Sequence, residues 1–104
     1  MTLQVVITRQ AQADVDSILT WIANRSESGA RSWHTALEAA LDWLAKNAPS
    51  CGTAPENEHF HEVIRQHFFK TRRGRRYRLL FTIAGQQVQV LHVRGPGQDL
   101  VLPE

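Results

Sequence analysis

One cysteine, Cys51, occurs in 104 residues, so an internal disulfide is excluded and a reducing compartment fits. No apolar run approaches the roughly 20 residues that a membrane-spanning helix requires. The opening MTLQVVITRQ has neither a basic n-region nor a useful apolar stretch. The expected location is therefore the cytoplasm, with no membrane partner. No glycine-rich phosphate loop is present, because RGPGQD follows the wrong kind of element and lacks the spacing. Internal repeats and linkers are also missing, which predicts one domain over residues 1–104. Hydrophobic residues at 42% and charged residues at 21% give the balance of a globular chain, not a disordered one.

The most telling shortage is of acid. No Asp or Glu lies between Val63 and Gln98. Residues 1–62 carry four basic and eight acidic side chains, whereas residues 63–104 carry eight and two; the net charge of +2 conceals the split. Six of the cations crowd between Lys70 and Arg78, in FFKTRRGRRYRLLF. Such a one-sided field suggests an anionic partner: nucleic acid, an acidic protein or an anionic membrane surface.

The elements follow from periodicity. LQVVITR (3–9) reads as a strand buried on both faces. Thr8 is placed to cap a helix over 10–25, whose stripe is Ala11, Val15, Ile18, Leu19 and Ile22. RSESG breaks the chain, and a second helix over 30–46 presents Ala30, Trp33, Leu37, Ala40, Leu41 and Leu44 until Pro49 ends it. Residues 47–62, with two prolines, read as a loop of no assigned structure. From Val63 the period becomes two. Residues 63–70 form one strand. In the next, 76–83, Tyr77, Leu79, Phe81 and Ile83 face one side, and Arg76, Arg78, Leu80 and Thr82 the other. AGQ (84–86) is a hairpin turn. In the last strand, 87–93, strict alternation sets Val88, Val90 and His92 against Gln89, Leu91 and Val93. RGPGQDL is a turn-rich tail. The order β-α-α-β-β-β predicts an α+β fold: a helical hairpin on one face of a small antiparallel-rich sheet, the other face open and partly polar.

On this plan TRRGRR (71–76) joins two strands, with Gly74 available for positive φ. Lys70, Arg72, Arg73, Arg75 and Arg76 are the candidate binding residues. Arg78 and Arg94 extend the same region. Guanidinium is the group suited to phosphate, being planar, permanently charged and bidentate. A solvated basic turn is the plainer account, which the density of arginines and the absence of nearby acid argue against.

The element order resembles the RelE/ParE superfamily of toxins from type II toxin–antitoxin modules. So does TRQAQADVDSILTWIANRS, where Ala11, Asp14, Val15, Ile18, Trp21 and Ile22 match the family's opening helix. GRRYRLLFTIAGQQVQVLHVRGPGQDL is similar to the family's end: a glycine, an Arg-Tyr pair, an apolar strand, a hairpin, and a strand closing on arginine. The resemblance implies a plasmid-stabilising or growth-inhibiting toxin neutralised by a cognate antitoxin protein. It implies one of two targets. ParE-like members poison DNA gyrase without catalysis. RelE-like members cut mRNA on the ribosome. A degenerate, non-toxic member is a third reading, and homodimer and antitoxin heterotetramer are both open.

RNA cleavage without a metal needs an acid/base pair and cations for the phosphorus-centred transition state. His92 is the leading acid/base candidate, with Tyr77 and Glu62 behind it, and Arg65, Arg78 and Arg94, with Arg76, would supply the cations. Tyr77 reads more simply as a core aromatic and His92 as a partly buried histidine. The tail GPGQDLVLPE has no aromatic or histidine where RelE-like members carry one, and GRRYRLLF looks ParE-like, so the expectation leans to gyrase inhibition. No cofactor is expected. Cys51, His59, His61 and His67 fit no zinc spacing. Trp33 belongs to the core, while Trp21 and Trp43 flank their stripes and seal its edge or meet a partner.

Overall fold

The computed structural model describes residues 2–96 and Gln98. The chain runs β1 (Gln4–Ile7), α1 (Arg9–Ala23), α2 (Glu27–Asn47), two 3₁₀ turns (Ala48–Ser50 and Pro55–His59), β2 (Arg65–Phe69), β3 (Tyr77–Ala84) and β4 (Gln87–Arg94). The strands form one sheet in the order β1-β4-β3-β2. β1 is parallel to β4, and the other pairs are antiparallel. This is the predicted α+β fold. The tail predicted as turns lies partly outside the described residues.

Both helices begin on a side-chain cap. Thr8 Oγ1 accepts the Ala11 N–H at 3.2 Å and donates to the Val90 carbonyl at 2.8 Å, so the start of α1 is tied to β4. Ser26 Oγ accepts the Gly29 N–H at 2.9 Å, which starts α2 earlier than its apolar stripe suggests. The helices bury Ala11, Val15, Trp33, Leu37, Ala40 and Leu44 against Leu79, Phe81, Val88, Val90 and Val93 of the sheet. Trp33 packs on Phe69 and Tyr77, with ring centroids 5.6 and 5.4 Å away. Such aromatic pairs add roughly 0.5–1.5 kcal/mol each beyond area burial. Tyr77 thus faces the helices, as alternation in β3 predicts.

Four expectations need correcting. β1 is an edge strand, half-buried along most of its length, because among the described residues β4 is its sole sheet partner. Alternation in β4 is not strict. Leu80 pairs with His92 and Phe81 with Val90, so Leu91 is an extra residue, a β-bulge. The bulge resets the phase: Val88, Val90 and Val93 all face the helices, while His92 turns to the opposite face with Leu80. Gly74 does not use positive φ; a Cβ there would lie 2.1 Å from Thr71 Oγ1, so its role is close approach. The glycine in the left-handed region is Gly85, φ +62°, opening the two-residue turn between β3 and β4.

The second sheet face is not open. The segment between α2 and β2 folds across it. Ala54, Ile64 and Leu80 form a small buried cluster there, with Phe60 and Leu91 at its rim. Asn57 Oδ1 accepts the Ile64 N–H at 2.8 Å, closing the segment on itself. Pro55 fixes its turn, and Glu56, next in sequence, is carried inward to zero exposure.

Candidate functional site

A buried carboxylate requires a partner, and Glu56 has one in Arg78. Arg78 donates to its two oxygens at 2.7 and 2.5 Å and to Gln66 Oε1 at 3.2 Å. The guanidinium best placed at the centre of the sheet is thus neutralised within the chain. Arg94 stands directly opposite Arg78 across β3 and β4, half-buried on the same face.

Of the other sites of the nuclease reading, His92 stands two residues from Arg94 and Arg65 lies on the opposite face. His92 shares the face, but its Nδ1 lies 3.4 Å from Asp14 Oδ2, an oxygen that also accepts the Val93 N–H at 3.0 Å. α1 thereby covers the β4 edge that β1 leaves bare. Arg65 lies on the helix side, since it pairs with Phe81, and donates to the Cys51 carbonyl at 2.6 Å. Burial pushes the Cys51 thiol up, and the nearby Arg65 pulls it partly back. Glu62 is exposed in the loop. Among the described residues, no three His, Cys, Asp or Glu side chains are placed to hold a metal ion.

The cations of the β2–β3 connection are all exposed, but they divide between two surfaces. Arg76 reaches the second sheet face and lies 4.0 Å from the Phe68 ring centroid, a cation–π contact. Lys70 sits at the end of β2. Arg72, Arg73 and Arg75 turn the other way and wall an open groove of about 800 Å³ against the helical hairpin. Trp21, Trp33 and Tyr77 form its aromatic side, and the first turn of α2 its end. No acid lines it. Trp21 is 56% exposed, with Arg25 stacked 3.9 Å from its ring centroid. A second groove continues past Trp21 and Arg75 to Gly95, Pro96 and Gln98. Aromatic surface beside exposed guanidinium groups suits an acidic, partly apolar ligand.

The family model for the ParE toxin of type II toxin–antitoxin systems (parDE) matches residues 5–100. The chain belongs to the ParE toxin family. A solved structure described as "Chromosomal ParDE TA system from P. aeruginosa" is similar to it with TM-score 0.69 and 18% identity, over 90% of this chain and 96% of that one. At that identity the likeness is one of fold, and it extends to the ParE arrangement of one strand, two helices and three strands. No curated protein matches the chain in sequence. Two features of this ParE-family chain are absent from the sequence expectations: the Glu56 clasp on Arg78, and the pairing of Trp43 with His67, stacked at 4.2 Å and 7°. The clasp has no sequence signal beyond an arginine in a strand that lacks local acid. Trp43 is visible only as a residue beside its stripe.

Proposed function

We propose that this chain is the toxin of a type II toxin–antitoxin module, acting in the cytoplasm, restrained by a cognate antitoxin, and inhibiting growth by binding a replication target of the DNA gyrase kind without cutting RNA. One observation carries the last part. Arg78, the cation that RNA cleavage would need beside His92, already spends its hydrogen bonds on Glu56 and Gln66. A guanidinium satisfied this way offers a phosphorane little, because the charge it would stabilise must first displace a buried carboxylate.

The binding surface in this reading is the aromatic groove, with Arg72, Arg73 and Arg75 as its anionic-ligand contacts and Lys70 and Arg76 on the neighbouring face. Among the described residues no helix is long and apolar enough to cross a membrane. Inducible expression in a bacterial host tests the proposal. DNA damage with continued translation supports it. Rapidly cut transcripts with translation arrest would favour the RelE-like alternative, and normal growth would favour a non-toxic member.

A further inference from the structure

β2 ends the sheet, and its outer edge is only half covered. Gly52 and Thr53 pair with its beginning: the Gln66 N–H donates to the Gly52 carbonyl at 3.2 Å, and Thr53 bridges Arg65. That bond shows that Gln66 points its backbone groups away from β3. Two residues on, Phe68 does the same, because backbone groups alternate along a strand. Among the described residues none pairs with its outward N–H and C=O.

The uncovered stretch is flanked by exposed aromatics on both faces. On the helix side Trp43, 40% exposed, stacks on His67; on the other, Phe68, 39% exposed, lies under Arg76. Soluble proteins blunt such edges with charge, and Lys70 and Arg76 alone would serve that purpose. Aromatic surface on both sides of an edge is what an added strand would bury, since its alternate residues meet opposite faces.

We infer that the free edge of β2 at Phe68 is a strand-addition site for an extended, acidic segment of the antitoxin. Charge decides between this occupant and a second copy of the chain. Antiparallel pairing of two β2 edges about Phe68 would set the two Arg76 guanidinium groups, each lying over a Phe68 ring, near one another, with no acid of the described residues between them. An acidic strand meets the same cations favourably. The inference rests on the proposed antitoxin but uses a surface separate from the Trp21 groove.

The test is amide hydrogen exchange on the chain alone and in complex with the protein encoded by the adjoining reading frame. Phe68 N–H exchanges freely in the isolated chain and slows at least about tenfold in the complex, the worth of one backbone hydrogen bond. Phe68→Pro removes that donor and weakens binding about tenfold more than Phe68→Ala, which loses the ring and keeps the N–H. A stable complex with unchanged exchange at Phe68 overturns the edge site and leaves the antitoxin intact. Protection that appears in the free chain with rising concentration assigns the edge to a second copy instead. If the two proteins do not associate at all, the antitoxin reading and the edge site both fall.

Discussion

Arg78 grips both carboxylate oxygens of Glu56, at 2.7 and 2.5 Å, across 22 residues of chain, and the carboxylate is wholly out of water. The pair fastens the connection between α2 and β2 to the centre of the sheet. Removing one partner strands the other in a site with little solvent. Glu56→Ala is expected to cost about 3–5 kcal/mol, whereas replacing both residues with apolar side chains of similar volume costs much less. Urea unfolding of the two variants measures the difference, and equal losses would show that the pair is not acting as a unit.

The bulge at Leu91 makes a milder demand than its position suggests. Deleting Leu91 restores strict alternation and leaves Val88, Val90 and Val93 on the helix face and His92 on the other, since one step from Val90 reverses the face and a second restores it. The deletion should therefore still give a cooperative thermal transition, and a non-cooperative melt would show that the bulge itself is required. Leu91→Ala keeps the register, so it should unfold cooperatively with a loss of roughly 1–3 kcal/mol from the rim of the smaller cluster.

His67 gives the chain a sensitivity to acid. Burial against Trp43 lowers its pKa from the ordinary value near 6.5, so the unfolded chain takes up the proton first as pH falls. Stability is therefore undiminished by this group above about pH 6.5. It declines below that value, and the loss is complete once pH lies below the depressed folded value. His67→Gln removes the effect, so its urea midpoint should fall less than the parent's between pH 7 and 5. Parallel curves would exclude His67 as the source.

Trp21 tests the groove with little confusion from folding. It is 56% exposed, so Trp21→Ala should change stability by no more than about 1 kcal/mol. Growth inhibition should nonetheless fall, and Arg73→Glu with Arg75→Glu should lower it further and flatten the salt dependence of target binding. Full toxicity in both variants would move the target-binding surface elsewhere.

Much of this fold is legible locally. Thr8 sits where a cap must sit, both helical stripes reach the core, and Tyr77, Leu79 and Phe81 share the face that alternation gives them. β4 is harder because two phases overlap in QVQVLHV. The neighbouring apolar residues Val90 and Leu91, followed by Val93, carry the trace of the bulge, but no glycine or proline marks it. The closure of the second sheet face could not be read at all. It depends on Glu56 meeting Arg78, and a loop acid has no local reason to point inward. The candidate site was accordingly half legible. The crowding of arginines is plain in the chain, but their division between a groove, a ring face and an internal ion pair arises only from tertiary packing.

The parallel pairing of Gln4–Ile7 with Gln87–Val90 governs how the molecule is born. During translation the helical hairpin can form early from near neighbours, yet the first strand has nothing to zip against until the eighth dozen of residues has left the ribosome. Completion of the sheet is thereby postponed until β4 emerges, leaving an interval in which the hairpin of helices stands without the surface it finally covers.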